Sequence, residues 1–350
     1  MFVLENIIRE NIKALQSYKV WRDDYLNNPE AIFLDNCENN YGSPIGKGFE
    51  RYPPSSQSEV KEAIATYKNL ESNQVVIGNG SDEMIDLLIR CFCEPKQDSI
   101  LVCEPTFGMF KVYAQINNVE VLNAPLEKES FLFNEKLILS SVNSNTKLIF
   151  ICTPNNPTGT SISLEQLKTI ATNFSGIVVV DEAYIDFSNK ASAMELLKDF
   201  ENILVLQTFS KAWGLAALRL GVAYGNSKII DVLNKVRPPF NVNTNSQKLI
   251  LEALQKVDLK NFNVDLIQKQ KKYLENELQQ LSFVKKIVES DANYFLMEVT
   301  DATKLFNYLL SHNILISNRS SLLNCNNHVR ISVGTEEENI KLITVLKQYH

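Results

Sequence analysis

The segment Ile177-Val178-Val179-Val180-Asp181-Glu182-Ala183-Tyr184 decides how the rest of the chain is read. Its opening run of β-branched residues is apolar without alternation. That is the pattern of a strand covered on both faces, as in a largely parallel sheet. The run ends on Asp181, and an acid in that place is partly buried. It needs a cationic or hydrogen-bonded partner, unless it serves only as a helix cap. Apolar runs of the same kind occur at 75–78, 99–103, 147–153, 203–208 and 220–224, with helical patterns at 82–92 and 164–173 between them. Ser163 followed by Gln166 has the spacing of a capping box at the start of the second helix. Strand–helix alternation of this kind predicts an α/β domain with a mostly parallel, mixed sheet. In such sheets ligands bind beyond the carboxyl ends of the strands, so the residues that follow each apolar run are the ones to inspect.

After residue 255 the pattern changes. A long charged helical stretch covers 256–280, followed by a strand at 292–299, a helix at 303–312, a strand at 328–333 and a helix at 336–348. This reads as a small α+β domain. The division expected is a large domain over 41–255 and a small one made from 1–40 and 256–350, with 1–13 as a single amphipathic helix. Composition narrows the class further. The 350 residues carry 35 Lys+Arg against 41 Asp+Glu, a net charge of −6, which does not favour nucleic acid as a partner. No apolar stretch approaches the roughly 20 residues needed to cross a bilayer, so no membrane partner is expected. The N-terminus does not resemble a secretion leader. Six cysteines without a regular framework suit a reducing, cytoplasmic setting. Cys91 and Cys93 are too close in sequence, and too far from the few histidines, to suggest a metal site.

The strand ends carry the unusual chemistry. After 75–78 comes Asn79-Gly80-Ser81-Asp82-Glu83, a turn running straight into a helix whose free N–H groups could hold a phosphate. An ordinary helix start with Ser81 as N-cap is the plainer alternative, and Glu83 stands where a dinucleotide fingerprint has its third glycine. After 147–153 comes Pro154-Asn155-Asn156-Pro157-Thr158-Gly159, either a simple turn or a rigid loop that aims an amide. After 203–208 comes Phe209-Ser210-Lys211-Ala212-Trp213-Gly214, with Arg219 close behind. A phosphate cradle, an aimed amide, a buried acid with a tyrosine, and a lysine among hydroxyls converge on one requirement. Pyridoxal 5′-phosphate (PLP) needs a lysine for its aldehyde, a carboxylate for its ring nitrogen, donors for its phenolic oxygen and N–H groups with an arginine for its phosphate.

The ordered set Gly-Ser-Asp-Glu (80–83), Asn-Asn-Pro-Thr-Gly (155–159), Asp-Glu-Ala-Tyr (181–184) and Thr-Phe-Ser-Lys (208–211) followed by Arg219 resembles the fold-type I PLP-dependent aminotransferases. The likeness extends over essentially the whole chain, through Arg51-Tyr52-Pro53, Lys235-Val236-Arg237-Pro238-Pro239-Phe240, Ser290-Asp291-Ala292-Asn293 and Val329-Arg330-Ile331-Ser332. It implies a large PLP-binding domain with a small α+β domain. Lys211 would hold the cofactor and move the proton. Asp181 would pair with the ring nitrogen, Asn156 and Tyr184 would contact the phenolic oxygen, and Phe107 would stack on the ring. Ser81, Asp82, Thr208, Ser210 and Arg219 would hold the phosphate. Tyr52 would reach into the site of a second subunit, implying a homodimer. Tyr18, Asn39, Tyr52, Arg319 and Arg330 would contact the substrate, with Tyr18 and the two arginines at its anionic groups.

The implied reaction is a reversible two-stage transamination between glutamate and a phosphorylated, imidazole-bearing partner in histidine biosynthesis. An aromatic or other phospho-substrate aminotransferase, or a threonine-phosphate decarboxylase-like enzyme, is the alternative within the family. A PLP-binding regulator without turnover and a plain α/β scaffold fit less well. The chain departs from the family's pattern in three places. Phe107 replaces a common tyrosine, Asn40 stands where proline is common, and Ser317 occupies a position usually held by an anion-binding arginine. Either Arg319, two residues on, takes over that duty or phosphate recognition is altered.

Overall fold

The computed structural model of the chain describes residues 2–25, 28, 30–46 and 48–349. Seven strands form the larger sheet: β1 (Val75–Asn79), β2 (Ser99–Val102), β3 (Glu120–Asn123), β4 (Thr146–Cys152), β5 (Ile177–Asp181), β6 (Ile203–Thr208) and β7 (Leu220–Gly225). Their spatial order is β1-β7-β6-β5-β4-β2-β3. The pairs from β6 to β3 are parallel, while β7 runs antiparallel to both β1 and β6. Antiparallel neighbours need no crossover helix. The chain therefore returns from β6 to β7 through 209–219, which keeps Ser210, Lys211 and Arg219 at the carboxyl end of β6.

Alternate residues of each central strand enter opposite cores. Ile149, Ile151, Val178, Val180, Ile203 and Val205 belong to one buried cluster. Leu148, Phe150, Ile177, Val179, Leu204 and Leu206 belong to the other. Both faces are therefore covered, the physical reason the strands read as unbroken apolar runs. Helix Leu164–Asn173 packs Leu167 and Ile170 on the first face, and helix Gly80–Phe92 packs Met84, Ile85 and Leu88 on the second. The capping box at Ser163 forms as expected, with Gln166 N donating to Ser163 Oγ at 3.2 Å and Ser163 N to Gln166 Oε1 at 3.2 Å.

The smaller sheet consists of β8 (Val284–Ile287), β9 (Tyr294–Val299), β10 (Ser317–Asn318) and β11 (His328–Ser332), antiparallel in the order β10-β11-β9-β8. Its core takes Leu274 and Leu278 from helix Val257–Leu278, Leu305 and Leu309 from Ala302–Ser311, and Leu342 and Leu346 from Glu336–Leu346. Among the described residues no helix is long and apolar enough to cross a membrane.

The first segment differs from expectation. Met1 lies outside the described residues, and the rest of 1–13 is not one helix. It splits into a 3-10 turn, Leu4–Asn6, and a short helix, Glu10–Ala14, with Arg9 extended between them. Tertiary contacts outweigh helical periodicity here. Arg9 N donates to Cys91 O at 3.1 Å, and the Arg9 guanidinium bonds Glu94 Oε2 at 3.0 Å and Arg90 O at 2.9 Å. Leu4 and Ile7 sit in the same cluster as Val76 and Met84, on a face of the larger sheet.

Candidate functional site

Because β4, β5 and β6 are adjacent and parallel, their carboxyl ends lie side by side, with Cys152 paired to Asp181 and Asp181 to Leu206. Above them lies a cavity of about 140 Å³. It gathers Ser81, Asp82, Phe107, Asn156, Asp181, Tyr184, Thr208, Ser210, Lys211 and Arg219, all singled out from sequence, together with Gly80, Cys152, Ala183 and Ala216.

One end of the cavity is built to take an anion. Helix Gly80–Phe92 begins at Gly80, so Ser81 lies inside the first turn and is not its N-cap. First-turn N–H groups have no intrahelical acceptor, and the helix dipole adds positive potential there. Gly80 has φ +77°, and its N–H donates to Arg219 O at 2.7 Å. A Cβ on Gly80 would come within 2.7 Å of Arg219 Nη2, and one on Gly221 would strike Ser81 N. The close approach of this turn to β7 therefore requires glycine on both sides. Arg219 Nη2 stands 3.6 Å from Asp82 Oδ2 and has an exposed side chain facing the same turn. Thr208 Oγ1 and Ser210 Oγ lie 3.0 Å apart at the end of β6.

The other end holds the acid and the lysine. Asp181 is 2% exposed and accepts one hydrogen bond, from Ala183 N at 3.0 Å. Burial pushes its carboxyl up to about 7, helped by Asp82 and Glu182 and opposed by the Ala183 hydrogen bond and Lys211. A buried carboxylate so poorly compensated favours a protonated nitrogen beside it. Glu182, its neighbour, is a structural acid: it accepts from Ser192 Oγ and Ala193 N at 2.6 Å and from Gln207 Nε2 at 2.9 Å. The Lys211 ammonium lies 5.5 Å from the centre of the Tyr184 ring. Lost hydration in the cavity, with Arg330 and Arg219 nearby, lowers its pKa from the ordinary lysine value, while Asp181 opposes the shift. Burial keeps the Tyr184 phenol protonated by raising its pKa.

The paired asparagines divide their duties. Asn155 is fully buried and donates to Pro105 O at 2.8 Å and Thr158 Oγ1 at 2.9 Å, while accepting from Thr106 Oγ1 at 2.8 Å. It holds the loop. Asn156 lines the cavity, and its Oδ1 accepts from Arg330 Nη1 at 2.6 Å.

Arg330 comes from β11 of the smaller sheet and lies 5.1 Å over the Tyr294 ring, whose hydroxyl donates to Asn155 O at 2.6 Å. Ser317 is directly opposite Arg330 across β10 and β11. Arg319 N continues that ladder to His328 O at 2.8 Å, so Arg319 shares the face of Ser317 and Arg330. Burial and the Arg330 charge lower the Arg319 pKa from the ordinary arginine value. Arg319 Nε, Arg330 Nε and Ser320 Oγ are buried without a hydrogen-bond partner. Two neighbouring guanidiniums with unpartnered nitrogens could hold an anion.

Arg319 and Arg330 stand outside the lining of this cavity, Arg330 touching it through Asn156, and Tyr18, Asn39 and Tyr52 are not gathered into it either. Tyr18 is 74% exposed, Asn39 accepts from Tyr41 N in a surface turn, and Tyr52 is half exposed and stacked on Phe240 at 4.8 Å. Sequence reasoning did not single out Cys152, Tyr294 or Asn241. Cys152 and Tyr294 end or begin apolar runs and look like core, and only their places in the fold set them against the site.

A family model described as aminotransferase class I and II matches residues 29–346. A histidinol-phosphate aminotransferase of Cytophaga hutchinsonii is 48% identical over 348 residues, covering 99% of each chain. That of Bacteroides thetaiotaomicron is 41% identical over 349 residues, covering 100% of this chain and 99% of the other. Among solved structures, the histidinol-phosphate aminotransferase of Clostridium acetobutylicum superposes with a TM-score of 0.80 at 23% identity, covering 86% of this chain and 90% of that one. The Sinorhizobium meliloti enzyme, solved with pyridoxal 5′-phosphate, gives 0.78 at 19% identity over 89% of each chain. These two likenesses concern the fold.

Proposed function

The chain belongs to the family of class I and II aminotransferases, and we propose that within it the reaction is interconversion of L-histidinol phosphate and 2-oxoglutarate with imidazole-acetol phosphate and L-glutamate, a step of histidine biosynthesis that uses PLP. The observation that carries this reading is the convergence, in one cavity, of Lys211, an under-compensated buried Asp181 and an anion-binding helix start beside Arg219. These residues fit the cofactor. The turn at 80–82 and Arg219 suit its phosphate, and Asp181 suits its protonated ring nitrogen. Asn156 and Tyr184 suit its phenolic oxygen, and Phe107 its ring face. When bound, the cofactor supplies an aldehyde that takes up an amino group and a ring that accepts the electron pair released at the substrate's α-carbon.

The chain's own residues do the rest. Lys211 carries the cofactor and, with its lowered pKa, acts as the base that takes the α-proton and returns it. Asp181 keeps the ring nitrogen protonated, and Tyr184 and Asn156 hold the phenolic oxygen. Arg330 and Arg319 bind the substrate's anionic groups, and Tyr18 and Asn39 are assigned to the substrate as well, from exposed positions outside the cavity lining. Arg319 takes the duty that Ser317 cannot perform, an assignment supported by its idle, buried Nε beside Arg330. Residues 41–255 form the cofactor-binding unit and 256–350 supply Arg319 and Arg330. Residues 4–14 go with the larger unit through Leu4, Ile7 and Arg9.

We take the working form as a cytoplasmic homodimer in which Tyr52 enters the second subunit's site. Exposed Trp21, Ile32, Leu34, Tyr41 and Ile45 support it, since so much apolar surface on one segment suits a partner. The decisive experiment is a set of half-reactions with PLP-loaded protein and histidinol phosphate, phenylalanine or threonine phosphate, read by cofactor absorbance. Histidinol phosphate is expected to react fastest, and Lys211→Ala to abolish turnover. Preference for phenylalanine, decarboxylation of threonine phosphate, or full activity in the Lys211→Ala protein would overturn the reading.

A further inference from the structure

Asn241 follows the Arg237-Pro238-Pro239-Phe240 stretch and lies outside the cavity lining, yet it satisfies groups on three separate segments. Its Nδ2 donates to Ile77 O at 3.2 Å and to Glu83 Oε2 at 3.0 Å. Its Oδ1 accepts from Gln57 Nε2 at 2.7 Å and Arg237 Nη1 at 2.8 Å. Its backbone carbonyl accepts from Asn79 Nδ2 at 2.5 Å. Glu83 Oε2, in turn, accepts from Asn79 N at 2.5 Å, so the carboxylate folds back over the turn that opens the anion site. A Cβ on Gly78 would come within 2.6 Å of that oxygen, so the fold-back needs glycine there.

On the other side, Arg237 Nη2 donates to Ser55 O at 2.8 Å, and Phe240 stacks on Tyr52. The segment 51–57 is also held from its far side. Glu38 Oε1 accepts from Tyr52 N at 2.7 Å, and Asp23 Oδ2 accepts from Ser55 Oγ at 2.6 Å. One asparagine thus ties the phosphate-binding turn at 79–81 to the segment that presents Tyr52.

We propose that Asn241 is a positioning residue that fixes the phosphate-binding turn through Asn79 and Glu83 and holds it in register with the Tyr52 segment. The inference rests on the reading of the cavity as a PLP site. It predicts that cofactor affinity depends on a side chain that does not touch the cofactor. Asn241 can do this because its amide is bipolar. It offers two N–H donors, to Glu83 and Ile77, and a carbonyl oxygen that accepts from Gln57 and Arg237, a set that neither a carboxylate nor a hydroxyl of similar size supplies.

The test is the PLP dissociation constant of wild type, Asn241→Asp, Glu83→Gln and the double variant, read by cofactor absorbance and fluorescence. Asn241→Asp keeps the shape but sets a carboxylate against Glu83. Its constant is expected to rise roughly tenfold, as for loss of one charge-assisted bond at a half-buried site. Glu83→Gln in the same chain removes the like charge and is expected to recover a substantial part of that loss, a coupling that general loss of stability would not produce. Asn79→Ala, at an exposed position where folding is not at risk, removes the contact to the Asn241 carbonyl and is expected to weaken binding in the same direction, less strongly. Wild-type affinity in Asn241→Asp, or a double variant that binds no better than Asn241→Asp, overturns the inference and leaves the site reading standing. Wild-type protein that binds no PLP overturns both.

Discussion

Replacing Asp181 with asparagine tests the electrostatic reading of the site without touching its shape. In the apoprotein the carboxyl is buried and pushed up to about 7 from an ordinary 3.8. The folded protein therefore holds a proton that the unfolded chain has released, at every pH between roughly 4 and 7. Stability falls with pH wherever the unfolded state binds fewer protons, by about 1.4 kcal/mol per pH unit for one group. The favourable protonated state is fully present below pH 3.8, and its advantage is lost by the time the pH passes about 7. The asparagine variant has no such proton to lose. The difference in unfolding free energy between wild type and Asp181→Asn, measured by urea titration of both apoproteins, should move against wild type by about 2 kcal/mol between pH 5 and 7 and then level off. Histidines and the other acids titrate in both proteins and cancel in the difference. Adding PLP supplies a cationic ring nitrogen beside the carboxylate, and the slope should flatten or reverse in the holoprotein. A difference independent of pH in the apoproteins, or one that moves in favour of wild type as pH rises, would refute the reasoning, because it would mean the carboxylate already has a cationic partner.

Two further outcomes follow from the same geometry. Arg319→Gln should lower kcat/KM for histidinol phosphate by roughly one to two orders of magnitude, for a lost bond of about 1.5–3 kcal/mol, with little effect on unphosphorylated histidinol. An equal loss with both substrates would make Arg319 a structural residue. If Tyr52 serves the neighbouring site, mixed dimers of Lys211→Ala and Tyr52→Ala chains hold one site with both residues intact. Mixing the two variants and allowing subunits to exchange should give more activity than the sum of the separate proteins, and no gain would remove Tyr52 from the partner's site.

Where the sequence was legible, the reason is local. β5 and β6 are unbroken apolar runs because both of their faces are covered, so Asp181 and Lys211 could be placed at strand ends before any contact was known. The Ser163–Gln166 box was readable because its partners are three residues apart. By contrast β3, β8 and β10 are short or partly exposed strands without an apolar run, and they carry no comparable signal. The opening segment misled, because its helical periodicity was outweighed by the attachment of Arg9 to the end of another helix.

The sequence by itself determined which residues can do the chemistry: a lysine among hydroxyls, an acid closing an apolar run, and a glycine turn at a helix start. Tertiary structure alone decided that Asn155 is the loop's internal brace, that Arg319 lies on the face of Arg330, and that Asn241 joins the phosphate turn to the segment of Tyr52. The physical reason is range. Caps, turns and apolar runs are set by neighbours within a few residues. The side a loop amide takes, and the partners a distant arginine or asparagine meets, depend on strand order and on the packing of one sheet against the other.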